Sequence, residues 1–145
     1  MRRAGALVLA AALLGAAGCE SVDLGTPPAD VNLCQPSQQF FIDQVWPSFL
    51  GNTYNGKHCY DSSCHGPGSS PPMTLSLPVE PGSIPLPMDW ANNYTQATQR
   101  MNCADPLDSD LLIYPEDKVP HGGGMLISPT GPEATLINMW ISATP

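Results

Sequence analysis

Apolar residues recur along this chain in four blocks, and between them no period survives. The first, Ala4 to Ala17, is an unbroken apolar run behind Met1-Arg2-Arg3. The second, within Ser37 to Gly51, repeats every four residues at Phe41, Val45 and Phe49, with Ile42, Trp46 and Leu50 alongside. That spacing predicts an amphipathic helix. Pro47 predicts a kink in it, or a helix that starts near Asp43. The third block places Trp90, Tyr94, Ala97 and Met101 on one face of a helix from Trp90 to about Asn102, with Asp89 as its N-cap. The fourth runs from Pro132 to Ser142, where Leu136, Ile137, Trp140 and Ile141 make an inner face and Pro132 suits the first turn. Ser109 to Tyr114 is a shorter helical or turn stretch. No alternation of period two is convincing, so the predicted class is mainly α.

The stretches between the blocks read as loops. Asn52 to Lys57 carries Asn55-Gly56 and is turn chemistry. Residues 66–88 hold seven prolines, which precludes a regular helix there. His121-Gly122-Gly123-Gly124-Met125 imposes no backbone preference. Three or four short helices joined by long Pro- and Gly-rich loops make a poor core unaided. Such a chain is better suited to wrapping a large flat apolar ligand.

The N-terminal block is a targeting segment: a basic start, an apolar run of signal-peptide length, then Ala16-Ala17-Gly18-Cys19. This end resembles the lipobox of bacterial lipoproteins, which implies cleavage after residue 18 and lipid on Cys19. Glu20 in the next position disfavours inner-membrane retention by the same analogy. The implied organisation is a signal peptide over 1–18, a lipid-anchored Pro-containing tether over 19–36 and one domain over 37–145. The place is the bacterial cell envelope, at the periplasmic face or outer membrane. Without the signal, the basic residues are Lys57, Arg100 and Lys118 against thirteen acidic ones. Such a balance excludes nucleic acid as the main partner and steers basic proteins toward the domain.

Five cysteines in an exported chain need accounting. Cys59-Tyr60-Asp61-Ser62-Ser63-Cys64-His65-Gly66 is a Cys-x4-Cys-His run, a longer relative of the Cys-x-x-Cys-His form that attaches c-type haem. There each thiol adds to a haem vinyl group, and the adjacent imidazole ligates iron from the proximal side. With Cys19 lipidated and Cys59 and Cys64 on haem, Cys34 and Cys103 remain for one disulfide. A second arithmetic also closes: lipid on Cys19, two disulfides and no haem.

With these pieces placed, the chain resembles class I c-type cytochrome domains, in particular lipoprotein cytochromes whose haem motif reads Cys-x4-Cys-His-Gly. Cys59, Cys64, His65 and Gly66 carry that motif. Ser109 to Pro115 resembles a Ser-x-Leu-Leu-x-x-Pro element. His121-Gly122-Gly123-Gly124, followed by Leu136, Trp140 and Ile141, resembles the distal loop and final helix. The resemblance spans roughly residues 37–142. It implies a small cytochrome c-like helical fold with long loops around one covalent haem c, with the first and last helices packed together. His65 is then the proximal iron ligand, and His121 or Met125 the distal one. Met125 lies fifteen residues before Trp140, as one family pattern requires, and His121 matches a His-Gly-Gly loop. The implied role is electron transfer rather than enzymatic catalysis, with redox proteins bearing a basic docking patch as partners.

Two other functions fit the sequence less closely: a haem-free disulfide-stabilised surface module, and a haem sensor or peroxidase with an open sixth site. Met73, Met88, Met101 and Met139 read as packing residues, with Met139 helping to cover the haem. Trp46, Trp90 and Trp140 read as core aromatics, and His58 as exposed. Asp61, Asp105, Asp108 and Asp110 read as solvated turn residues.

Overall fold

A computed structural model describes residues 35–69 and 72–143. The signal segment, Cys19 and Cys34 lie outside the described residues. The fold is mainly helical: four helices and, among the described residues, a single two-stranded sheet.

Helix α1 opens as a turn of α-helix, Gln38–Phe40, and continues in wider π-helical winding over Phe41–Leu50. Ser37 caps it, its hydroxyl accepting from the Phe40 amide at 3.1 Å. Pro47 neither breaks the helix nor delays its start. In an α-helix the proline ring would press on the carbonyl four residues back. The wider turn moves that carbonyl away, and bonds then reach back five residues, as from the Gly51 amide to the Trp46 carbonyl at 2.7 Å.

Strands β1, Thr53–Tyr54, and β2, Lys57–His58, pair antiparallel with Thr53 opposite His58. No strand was expected here. Yet Asn55 and Gly56 both take positive φ, 53° and 78°, the backbone of a tight hairpin turn. Helix α2 spans Met88–Thr98 and begins two residues before Trp90. Pro87 stands at the cap position, so Asp89 lies inside the first turn instead of capping it. A 3-10 turn at Pro106–Asp108 leads to α3, Asp110–Ile113, and α4 spans Pro132–Ser142 as expected.

Helices α1 and α4 pack against each other, and Phe41 is the hub. Its fully buried ring stacks on Trp140 at 5.3 Å and meets Tyr94 at 5.6 Å and Trp90 at 6.3 Å, both edge-on. Each such aromatic pair contributes about 0.5–1.5 kcal/mol beyond burial. The Trp140 indole donates to the Ser37 carbonyl at 3.0 Å, joining the two ends of the domain. Pro36, in the stretch read as tether, is buried, and its carbonyl accepts from the Tyr94 hydroxyl. Packed structure therefore reaches back to at least that residue.

The Pro-rich segment is held differently. Asn93, buried completely in α2, accepts from the Ser76 amide at 3.0 Å and donates to the Ser76 carbonyl at 2.7 Å. Gln96 accepts from the Thr74 amide at 3.0 Å. Side-chain amides thus supply what a neighbouring strand would otherwise give an extended backbone.

Candidate cofactor site

The Cys-x4-Cys-His run follows directly on β2 as a closed loop rather than on a helix end. The His65 amide donates across the spacer to the Cys59 carbonyl at 2.8 Å. The Cys64 and Gly66 amides both donate to the Asp61 carbonyl at 2.8 Å. Asp61 is not merely solvated: its carboxylate accepts from the His58 amide at 2.8 Å and closes the loop from inside. Gly66 is buried so tightly that an added Cβ would lie 2.3 Å from the Tyr60 carbonyl oxygen. The four-residue spacer is thereby folded into a compact turn that leaves both thiols on one short, braced segment.

Cys59 and Cys64 are free thiols, partly buried, and form no disulfide with each other. Burial, followed by the neighbouring Cys64, pushes the Cys59 thiol up to about 12. Cys59 also packs against the hydrophobic core. Cys103 is disulfide-bonded; its expected partner Cys34 lies outside the described residues.

His65 is fixed in orientation and in tautomer. Its Nδ1 lies 3.2 Å from the Met73 carbonyl oxygen. A carbonyl only accepts, so Nδ1 carries the proton and Nε2 keeps its lone pair. Burial is the main cause that holds the imidazole below its ordinary pKa, which favours the neutral ligand form. The Leu75 amide donates to the His65 carbonyl at 2.6 Å, and Arg100 donates to the Pro72 carbonyl at 2.6 Å. The Pro-rich segment is thus a support for the histidine. Nothing in the sequence singled out Met73 or Arg100 for this, because the contacts are made to backbone carbonyls.

His121 comes from the loop between α3 and α4. The amides of Leu126 and Ile127 both donate to the Pro115 carbonyl, at 2.8 and 3.2 Å, and pinch that loop shut at its base. The His121 ring faces His65 with ring centres 6.0 Å apart and planes 13° from parallel. Its Nδ1 is buried and has no hydrogen-bond partner. Met125, four residues on, is 64% exposed. The structure therefore brings Cys59, Cys64, His65 and His121 into one neighbourhood and turns Met125 to solvent. Met139 is also mostly exposed. Among the described residues no group of three or more His, Cys, Asp or Glu side chains converges, so the two imidazoles meet as a pair.

Sequence reasoning missed one feature of this neighbourhood. His58 is half-buried and stacks on Tyr60 at 4.7 Å, and Tyr60 stacks on Trp46 at 5.9 Å. Trp46 in turn meets Trp90 at 5.7 Å. Four aromatic rings thus run from the Cys-x4-Cys-His loop into the core and out to α2. Only the abundance of aromatics flanking the motif hinted at it.

Comparison with protein-family models, with curated proteins and with solved structures gave no match.

Proposed function

We propose that this protein is a lipid-anchored monohaem c-type cytochrome that carries single electrons outside the cytoplasm. The observation that carries the reading is the close pair His65 and His121. Ring centres this close would let both imidazoles reach one metal ion, whose bonds to imidazole nitrogen are about 2 Å long. The separation here is 6.0 Å. The residues fit the group in three further ways. His65 is held in the tautomer that presents Nε2. His121 has a buried ring nitrogen that no protein group satisfies. Two free thiols lie on the same braced loop as His65.

Cys59 and Cys64 would hold the macrocycle through thioethers, and His65 and His121 would supply nitrogens to its iron. The haem, when bound, supplies a one-electron couple whose potential is set by axial ligation and burial. The chain's own work is positional. Met73 orients His65, the Asp61 turn holds the thiols, and the Pro115 clamp sets His121. Two imidazole ligands place the potential below that of a histidine–methionine pair. The envelope location and lipid on Cys19 belong to the same proposal and rest on the Ala16-Ala17-Gly18-Cys19 sequence.

The test is an absorption spectrum of the periplasmically matured protein, reduced with dithionite and repeated in alkaline pyridine. A c-type haemochrome that stays with the denatured chain is expected. Before pyridine, a low-spin spectrum without a methionine-to-iron charge-transfer band is expected, and His121→Ala should turn it high-spin. A colourless protein, made beside a matured control cytochrome, would sink the reading.

A further inference from the structure

The most exposed apolar side chains of the middle of the chain are Val79, 86% exposed, and Met88, 87% exposed. They do not stand alone. Together with Glu80, Pro87, Asp89 and Trp90 they line a surface groove of about 170 Å³, room for one inserted side chain. The groove is built rather than loose. The Trp90 indole donates to the Glu80 carbonyl at 2.8 Å, and Asn93 anchors the same segment at Ser76.

Its charge is one-sided. Glu80 and Asp89 line it and no basic residue does. The three basic residues of the described chain sit elsewhere: Lys118 pairs with Glu116 at 2.6 Å, Arg100 lies 3.9 Å from Asp110, and Lys57 is on the hairpin. Trp90 also terminates the aromatic run that reaches Tyr60, the residue after Cys59. Electron tunnelling falls steeply with gaps between π systems, so a partner seated over Trp90 stands at the outer end of a closely packed route to the haem motif. A recess of this size suits a brief encounter, and redox complexes bury little surface.

We propose that the Val79–Met88 groove is the docking site of a basic redox protein, which inserts one apolar side chain there and surrounds it with lysines or arginines. The proposal rests on the electron-carrier reading. In the encounter one electron passes from the partner's centre to the haem iron, and no bond or proton is exchanged.

The test uses the full matured protein and a lysine-rich soluble cytochrome as probe, with binding read by calorimetry and electron transfer by stopped flow. Val79→Lys with Met88→Lys is expected to lower the bimolecular rate at low salt at least about tenfold and to abolish the binding heat. Spectrum and potential should stay unchanged. Leu107→Lys with Met139→Lys makes the same charge change at exposed positions outside the groove and should alter the rate less than about twofold. A groove variant that binds like the unaltered protein, or a Leu107/Met139 variant that loses as much, overturns the docking site. The calorimetry needs no haem. A colourless preparation with the same binding pattern would therefore support the surface while defeating the electron-carrier reading.

Discussion

The two halves of this small domain are held together by different physics. The α1–α4 frame is an apolar interior in which Phe41 touches four other aromatic rings. The segment from Cys59 to Pro87 has few buried side chains, and individual hydrogen bonds pin it: Asp61 to His58, Asn93 to Ser76, Gln96 to Thr74, Arg100 to Pro72. The frame is redundant and cooperative, and each loop contact is singular. That difference matters because the Cys-x4-Cys-His loop and the support for His65 both lie in the second half. Their geometry depends on a few polar groups while the fold depends on many apolar ones.

Breaking the frame should cost most. Trp140 is 1% exposed and stacks on Phe41, so Trp140→Ala removes a large buried ring and the bond to Ser37. A loss of about 3–5 kcal/mol is expected, read as a shift in the denaturant midpoint. In a domain this small such a loss takes away much of the total stability.

The loop half should be broken by one polar change. Asn93→Ala leaves both the amide and the carbonyl of Ser76 without their partner. The expected cost is about 2–4 kcal/mol, from two part-buried groups left unsatisfied. Hydrogen exchange should show the loss concentrated at residues 73–77, with α1 and α4 still protected. A uniform loss of protection would mean that the two halves are one cooperative unit after all, and the contrast would fall.

An alkaline titration sharpens the contrast at the motif. In the protein with its thiol free, Cys59 is raised by burial from 9.0 to about 12. Above pH 9 the unfolded chain releases this proton and the folded one keeps it. The folded state therefore binds more protons, and stability falls as pH rises between 9 and 12. At pH 10 the loss is on the order of 1 kcal/mol. A thioether does not titrate, so if maturation attaches haem at Cys59 this part of the fall should be absent, leaving the smaller fall from Tyr54, whose hydroxyl burial also raises. Denaturant midpoints at pH 8 and pH 10, before and after maturation, check both statements.

The same division separates what the sequence made legible from what it did not. The helices announced themselves because burial is written in apolar spacing: α4 begins at Pro132 and ends at Ser142 as expected. Pro47 misled, because one proline has two outcomes, a break or a wider turn, and tertiary packing of Phe41 to Leu50 decides between them. Asn55-Gly56 marked a turn, but the hairpin built on it at Thr53–His58 was not expected, because its strands are too short to alternate. In the site, adjacency tied Cys64 to His65, and the His-Gly-Gly-Gly string marked His121. The Met73 carbonyl, the Asn93 clamp and the stack from His58 to Trp90 were illegible. Contacts to backbone atoms and rings that meet across the fold leave no local pattern.

The smallest expected effect falls on the one rival the sequence offered to His121. Met125 and His121 share a loop whose base is clamped at Pro115, so a turn of that loop decides which one faces inward. The Gly124 amide bonds to the His121 carbonyl at 2.8 Å, and Gly124 itself takes a φ of 67°. That turn sends the chain outward immediately before Met125, which ends 64% exposed, while His121 keeps its place opposite His65. Met125→Leu removes the only sulfur on the loop and keeps the apolar bulk. It should change stability by less than about 0.5 kcal/mol, as surface substitutions do, and leave the low-spin spectrum and the potential of the matured protein where they were. His121→Met makes the complementary demand: a sulfur placed opposite His65 should bring a charge-transfer band and a raised potential. If Met125→Leu alone turns the iron high-spin, the loop has turned the other way round in the loaded protein, and the pairing of His65 with His121 is wrong.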